Sequence, residues 1–523
     1  MGHYINPGIE KFKKSVNSKI YVDKSSLILQ TNELVDTEQR FICISRPRRF
    51  GKTMAANMLA AYYGAGEDAN PIFENLAIAQ DPFYKQYLNQ YNVLMINMQE
   101  FLSKTNSVKE MLTLLQSTVT SELMEEFPEV MLKRPEDFIA VMKDIYTRVK
   151  CPFIILIDEW DCLFREYKDD IVSQKEYLDF LRLWLKDQAY VGLAYMTGIL
   201  PIKKYGSHSA LNMFDEYSMI KPYRFLEYFG FKYSEVTELA REFKVDIDEI
   251  KKWYNGYFVD REQPIYNPRS VKSYLLNGEF DNYWNKTETY EALQDYIKLN
   301  FDGLKDKITL MISGKSVKVN PNKFTNDMTT FNSADDVLTL LTHLGYLTYN
   351  FDEKTIRIPN EEVRNEFINA IEDLNEWHHV IETIQNSDNL LKAIWNNEPD
   401  LVSEEIERAH ELNTSILQYN DENSLSCMLA LALFSASEYY TTFRELPTGK
   451  GFSDLVLIPR KKYLDKPAMI IELKWDKNAQ GAIDQIRSKN YPTGLEEYQD
   501  NLLLIGINYD KSSKKHECYI EKY

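Results

Sequence analysis

The segment Arg46-Pro47-Arg48-Arg49-Phe50-Gly51-Lys52-Thr53 follows an apolar run, Phe41–Ser45, and precedes a helical pattern, Met54–Tyr63. Strand, loop and helix in that order constrain the chain more than any other feature of it. The backbone N–H groups of such a loop and the helix N-terminus converge on one point and attract an anion. A lysine at the position of Lys52 reaches the β- and γ-phosphates of a nucleotide, and a hydroxyl at the position of Thr53 suits Mg²⁺. The pattern G-x-x-x-x-G-K-[ST], the Walker A loop, is met except at its first position, where Arg46 replaces Gly. Taken alone, Gly-Lys-Thr after a strand also reads as an ordinary helix start.

A second apolar run, Phe153–Ile157, ends in Asp158-Glu159, as a Walker B strand requires. Asp158 suits the Mg²⁺ shell, and Glu159 suits orienting and polarising an attacking water. A third run, Val191–Met196, ends in Thr197-Gly198, where the Thr197 hydroxyl could sense the terminal phosphate; a plain strand-ending turn fits equally. With Val93–Asn97 these runs alternate with helical stretches such as Val108–Glu126 and Pro135–Lys150. Strands separated by helices imply βαβ units and a parallel sheet. Arg48 and Arg49 either contact phosphates or pair with acidic neighbours, and Arg224 is a conceivable arginine finger without local support.

At 523 residues the chain exceeds one core, so two to four domains are expected. Lys plus Arg is 61 against 79 Asp plus Glu, a net charge of -18, which argues against a nucleic-acid coat protein. It leaves room for an enzyme that gathers positive charge in one cleft. The five cysteines, Cys43, Cys151, Cys162, Cys427 and Cys518, form no CxxC pair, so a reducing cytoplasm is expected. No apolar run nears the roughly 18 residues that span a bilayer, and no basic-then-apolar leader opens the sequence.

From about 206 to 400 the pattern is mainly helical, punctuated by Pro264, Pro268, Pro321 and Pro359, with a small hairpin expected from Tyr346–Tyr349 and Thr355–Ile358. The last part reads as helix Ser424–Ser437, strands Tyr439–Glu445, Phe452–Pro459 and Ala468–Lys474, helix Ala479–Lys489, and strands Leu502–Asn508 and Glu517–Tyr523. Asp454 stands early in one strand, and Glu472 with Lys474 lies 18 and 20 positions further on. Residues two apart in a strand share a face, so Glu472 and Lys474 point together while Ile471 and Leu473 point into the core. If the two strands pair, Asp454 meets Glu472, and two carboxylates bind a hard cation through oxygen. A lysine beside them positions or deprotonates a water for attack on a phosphodiester. The plainer reading is an α/β domain with a salt-bridged strand pair.

Tyr21-Val22-Asp23-Lys24, the 46–53 loop, Leu156-Ile157-Asp158-Glu159-Trp160-Asp161, Thr197-Gly198-Ile199, Trp253-Tyr254-Asn255-Gly256-Tyr257 and Tyr266-Asn267-Pro268 together resemble the bacterial AAA-ATPase-like family across about the first 270 residues. Arg46 is usual at the first loop position in that family. The resemblance implies ATP with Mg²⁺ at Arg46 to Thr53, Asp158 and Thr197, and binding more firmly than turnover. The last 100 or so residues resemble the PD-(D/E)xK nuclease superfamily, whose core is αβββαβ. That resemblance implies Asp454 and Glu472 as ligands of Mg²⁺ or Mn²⁺, Lys474 as catalytic lysine, Gln485 as the helix glutamine, and Glu422 as the acidic residue of the first helix, with Glu438 and Glu445 nearby.

The expectation is therefore an α/β multidomain chain: an AAA-like P-loop ATPase over 1–205, a helical lid and connecting region over 206–400, and a restriction-endonuclease-like domain over 405–523. Its expected partner is nucleic acid, DNA ahead of RNA, and a homo-oligomer is compatible with it. In this order the two domains resemble a bacterial architecture associated with action on foreign DNA. A nucleotide-dependent switch whose nuclease fold binds without cleaving is the alternative, and a pure ATP-driven motor is weaker because no helicase-like motif series is present.

Overall fold

The computed structural model describes residues 2–205, 208–209, 211–257, 264–284, 290–299, 301, 303–326, 328–417, 422–448, 451–489 and 495–523. The chain divides into two compact units, Met1–Thr287 with Lys318–Val363, and Glu288–Val317 with Arg364–Tyr523. The segment 206–400 is thus shared between them.

In the first unit five strands, β1 (Phe41–Ser45), β2 (Asn92–Asn97), β3 (Phe153–Asp158), β4 (Val191–Gly198) and β5 (Asp215–Tyr217), form one sheet in the order β2-β3-β4-β1-β5. Every pairing is parallel. All residues of β1, β3 and β4 are buried, because a parallel sheet covered on both faces needs continuous apolar runs. The first four strands are the apolar runs of the sequence. β5 reads Asp-Glu-Tyr and is partly exposed, so no hydrophobic run announces it. Since all strands run the same way, the loop after β1, the acidic end of β3 and the end of β4 emerge at one edge, where open α/β sheets place ligands.

Local chemistry sets the helix limits. Helix Phe138–Val149 starts three residues later than the apolar pattern suggests because Asp137 caps it, its carboxylate accepting from the Ala140 amide at 3.0 Å. Ser107 caps Val108–Glu126 in the same way, accepting from the Glu110 amide at 3.2 Å. The hairpin expected near 350 is present, Thr348–Asn350 pairing antiparallel with Thr355–Arg357.

In the second unit β6 (Tyr440–Thr448), β7 (Gly451–Pro459), β8 (Ala468–Trp475), β9 (Leu502–Asp510) and β10 (Lys515–Lys522) lie in sequence order. Only β8 and β9 are parallel; the other neighbours are antiparallel. Met469, Ile471 and Leu473 of β8 join a core with Val402, Ile406, Leu425 and Met428 from helices Pro399–Leu417 and Glu422–Ala432. Ala468 and Ile470 join a second core with Ile483 and Ile486 of helix Ala479–Ser488. Strand β8 is therefore buried on both faces, and Glu472 shares the face of Ala468 and Ile470. The helix expected over Ser424–Ser437 is two pieces, Glu422–Ala432 and Ala436–Tyr439. Between them the Ser435 amide donates to the Ser387 hydroxyl at 3.2 Å instead of continuing the helix.

Two histidines are buried on the first of these faces. The His410 ring lies 5.1 Å from His516 and 5.0 Å from Tyr509, centroid to centroid. Burial lowers His410 from 6.5 to about 4. Burial, and then the neighbouring His410, lower His516 to about 3. The fold thus favours the neutral rings. Their contribution is complete above the unfolded value of about 6.5 and is lost as pH falls toward 4 and then 3. By pH 5 the loss is expected to be ~2 kcal/mol for each ring. Denaturant unfolding at pH 7 and pH 5 measures it: His516→Gln should flatten the dependence, and equal pH dependence of wild type and variant would contradict this account.

Candidate functional site

Two constellations stand out, one in each unit. In the first unit Gly51 takes a left-handed φ of 95° and caps helix Lys52–Tyr63. A side chain there would meet nothing within 4 Å; the backbone conformation, not space, calls for glycine. The helix begins at Lys52, two residues earlier than its apolar pattern, because the loop feeds directly into it. Lys52 is buried, and its ammonium donates to the carbonyls of Arg46 and Pro47, each at 2.9 Å. Burial holds its pKa below the usual lysine value, with Glu159, Asp158 and Asp161 acting in the opposite direction.

Asp158, at the end of β3, is the hub. Its Oδ2 accepts from the Thr53 hydroxyl at 2.7 Å, and its Oδ1 accepts from the Thr197 hydroxyl. Three segments far apart in sequence therefore meet on one carboxylate. Glu159 follows with φ 53°, an unusual backbone conformation for a non-glycine residue. Its carboxylate pairs with Arg165. Burial raises the Glu159 pKa, while Lys52 and Arg165 act against that shift.

The other loop residues divide by role. The Arg46 guanidinium is buried and donates to the carbonyls of Ser45 and, at 2.7 Å, Tyr217; it ties the loop to β5. Burial lowers its pKa to about 9. Pro47 packs against Gly345, where a Cβ would lie 2.7 Å from the proline ring. The Phe50 ring stands edge-on to Tyr257 at 5.1 Å, and its carbonyl accepts from the Gly230 amide at 3.1 Å. Arg48 is half-buried, and Arg49 is exposed with φ 71°. The loop is thus braced by residues near 230, 257 and 345. This is the physical content of the Trp253–Tyr257 motif: Asn255 accepts from Asn360 at 2.8 Å, and Tyr257 supports Phe50. The Lys24 ammonium likewise binds the Glu235 carboxylate at 2.7 Å. Arg224 pairs with Glu33 and donates to Gln30 at 2.6 Å, and neither partner belongs to this group.

In the second unit the β7–β8 register pairs Leu455 with Ile471, so Asp454 stands across from Glu472. Asp454 Oδ2 accepts from the Leu473 amide at 2.7 Å. Glu472 is buried; its Oε1 accepts from Lys474 at 3.0 Å and from the Gln485 side chain. Burial and then the Asp454 charge raise its pKa. Its Oε2 is buried without a hydrogen-bond partner among the described residues. Such an atom in a native fold calls for an explanation, and a cation held between two carboxylates supplies one. The donors are all oxygen, which fits Mg²⁺ or Mn²⁺. Asp454, Glu472, Lys474 and Gln485 are thus brought together. Glu422 opens helix Glu422–Ala432, with its side chain outside the described residues, as is that of Glu445. Glu438 is exposed and accepts from Tyr463.

Sequence reasoning passed over Gly506, which lies beside Glu472 in the β8–β9 register. A Cβ there would sit 2.3 Å from the Ala479 carbonyl, so the bare strand lets helix Ala479–Ser488 approach until Gln485 touches Glu472. Gly506→Ala is expected to cost ~1–3 kcal/mol by overpacking and to weaken Mn²⁺ binding. Unfolding midpoints and metal titration measure the two effects; unchanged values for both would contradict the role of the glycine. Asp161 and Arg165 were also passed over as working residues, although their i,i+4 spacing is a recognisable helix ion-pair signal.

Residues 6–207 match the family model described as "Predicted AAA-ATPase". Residues 420–518 match that of the PD-(D/E)XK nuclease superfamily. The chain is 27% identical over 303 residues to "Uncharacterized protein in vnfD 5'region" of Azotobacter chroococcum mcd 1, covering 55% of each chain, so it spans about half the length of that relative. Two solved structures share low similarity. One is a signal transduction ATPase with numerous domains and a tetratricopeptide repeat sensor from Pyrococcus horikoshii, 14% identical, with 78% of this chain and 50% of that chain covered and a TM-score of 0.23. The other is AMPPCP-bound DnaA from Aquifex aeolicus, 12% identical, with 71% and 95% covered and a TM-score of 0.22. No helix among the described residues is long and apolar enough to cross a membrane. The chain therefore carries an AAA-ATPase-like domain and a C-terminal PD-(D/E)XK nuclease superfamily domain.

Proposed function

We propose that this protein binds and hydrolyses ATP at the first site and cleaves nucleic acid, DNA in the first instance, at the second, with nucleotide state governing cleavage. The observation that carries the reading is the buried, unpartnered Oε2 of Glu472, a residue that stands across from Asp454 in the strand register and carries Lys474 and Gln485 on its other carboxylate oxygen. Asp454 and Glu472 would hold a divalent cation, which when bound supplies charge for a developing phosphorane and a more acidic water. Lys474 holds a proton-bearing nitrogen at Glu472 and is placed to position the water that attacks phosphorus. Gln485 fixes the rotamer of Glu472.

At the nucleotide site Lys52 exchanges its two loop carbonyls for phosphate oxygens. Thr53 and Asp158 would hold Mg²⁺ with the nucleotide, and Glu159 orients the water. Thr197, on the same carboxylate as Thr53, is placed to respond to the terminal phosphate. A role against foreign DNA is the biological context we infer, in a cytoplasmic setting.

The test is a substrate panel: linear and circular DNA, single- and double-stranded, and RNA, each with Mg²⁺ or Mn²⁺ and with or without ATP. Metal-dependent cleavage of DNA is expected. Retained binding of ATP and DNA with no cleavage of any substrate would favour the nucleotide-dependent switch; cleavage confined to RNA would correct the substrate.

A further inference from the structure

Helix Cys162–Glu166 carries one residue that no motif singles out. The Arg165 guanidinium pairs with the Glu159 carboxylate, and its Nε lies 3.5 Å from Asp161 Oδ2. Its side chain is only 11% exposed, and that of Asp161 is 0% exposed. Asp161 in turn accepts from the amides of Ile199 at 2.9 Å and Leu200 at 2.8 Å, immediately past the end of β4. The same strand end carries Thr197, whose hydroxyl is on Asp158 and whose carbonyl accepts from the Trp160 amide at 3.1 Å. Gly198 closes the seam: a Cβ there would lie 2.7 Å from both Asp161 Oδ1 and the Trp160 ring. A continuous chain of polar contacts therefore runs from Thr197 and the 199–200 amides through Asp161 and Arg165 to Glu159.

We propose that Arg165 is a positioning residue for ATP hydrolysis, its guanidinium spanning Glu159 and Asp161 and so fixing the water-orienting carboxylate to the strand end that carries Thr197. This rests on the reading of Glu159 given above. The side-chain type matters. A guanidinium presents several N–H donors in a rigid planar fork and can hold two acids at once, whereas an ammonium is a single point of charge. Glu159 sits in the left-handed region with φ 53°, an uncommon backbone for a non-glycine residue, and Arg165 fixes the carboxylate at the end of its flexible side chain. Without that fork Glu159 is free to turn toward Lys52, the other cation acting on it. A carboxylate displaced by about 1 Å from its water costs on the order of 100-fold in rate. Nucleotide binding depends on the loop, Lys52 and Thr53; Arg165 acts on Lys52 only as a neighbouring positive charge, so its loss is expected to change affinity far less than kcat.

The experiment measures steady-state ATP hydrolysis and the affinity for a fluorescent ATP analogue in the full chain, for wild type, Arg165→Ala, Arg165→Lys and Glu159→Gln. The expected result for Arg165→Ala is kcat lowered about 100-fold with analogue affinity within about threefold of wild type. Arg165→Lys should recover part of the loss, because its ammonium reaches Glu159 but does not span both acids. If Arg165→Ala does not fold, Arg165→Lys alone decides: a kcat about 10-fold below wild type with unchanged affinity supports the proposal, and full activity overturns it. Arg165→Ala with unchanged or raised kcat overturns it, as does parallel loss of kcat and affinity without rescue by lysine. A wild type that does not hydrolyse ATP, or a Glu159→Gln variant as active as wild type, sinks the hydrolysis reading itself and the proposal with it.

Discussion

Lys474→Ala is expected to abolish metal-dependent cleavage, lowering the rate on the order of 10³-fold, while the fold persists. Lys474 is buried, yet its ammonium has a carboxylate partner at 3.0 Å. Removing it takes away the cation that shares Glu472 with Gln485. It leaves the hydrophobic contacts of β8 intact, because Met469, Ile471 and Leu473 serve one core and Ala468 and Ile470 the other. The variant should therefore stay folded, with an unfolding midpoint lowered by the buried carboxylate left without its ammonium, and still bind Mn²⁺ through Asp454 and Glu472. Glu472→Gln should fail at the earlier step. It retains volume but removes the charge that faces Asp454, so both metal binding and cleavage should fall. A quantitative nicking assay alongside a metal titration separates the two. Equal cleavage by Lys474→Ala and wild type would show that the lysine is merely a salt-bridge partner of Glu472.

Lys52→Ala is expected to weaken ATP binding by about 10- to 100-fold, the equivalent of one charge-assisted contact worth ~1.5–3 kcal/mol. The Lys52 ammonium is held by the Arg46 and Pro47 carbonyls, so it is already at the mouth of the loop. Its removal leaves those two carbonyls without their donor, so a modest loss of stability should accompany the loss of affinity. Titration with a fluorescent ATP analogue measures the first effect and thermal unfolding the second. Thr53→Ala should instead leave nucleotide affinity nearly intact without Mg²⁺ and lower it when Mg²⁺ is present, because the Thr53 hydroxyl meets Asp158 rather than the loop carbonyls. Identical affinities for Lys52→Ala and wild type would remove the loop from the nucleotide site.

Much of this was legible in the sequence, for reasons that differ from element to element. β1 to β4 announced themselves because a parallel sheet covered on both faces must be apolar throughout, and four such runs are present. The Asp454, Glu472 and Lys474 group was legible because two-residue alternation puts Glu472 and Lys474 on one face, and an apolar strand makes such a pair conspicuous. β5 was not legible: three residues with two carboxylates carry no periodicity, and their place in the sheet rests on parallel pairing with β1, joined by the Arg46 guanidinium on the Tyr217 carbonyl. The bracing of the phosphate loop by Gly230, Tyr257 and Gly345 was invisible for a related reason. These contacts join positions some 180 to 300 residues apart in the chain, and no local pattern encodes them. The helix break between Ala432 and Ala436 lies in the same class, since a hydroxyl from Ser387 interrupts an otherwise apolar helix. Gly506 shows the reverse situation. A lone glycine in a strand signals close backbone approach, and the signal was present but went unread.

The central claim is that one chain couples a nucleotide site to a metal-dependent nuclease site. A single time course tests it most directly: linear double-stranded DNA with Mn²⁺, with and without ATP, for wild type, Lys52→Ala and Lys474→Ala. The account predicts cleavage by wild type that changes with ATP, cleavage by Lys52→Ala that no longer responds to ATP, and none by Lys474→Ala. Cleavage that is identical in all three proteins, or an ATP response that survives Lys52→Ala, would contradict it.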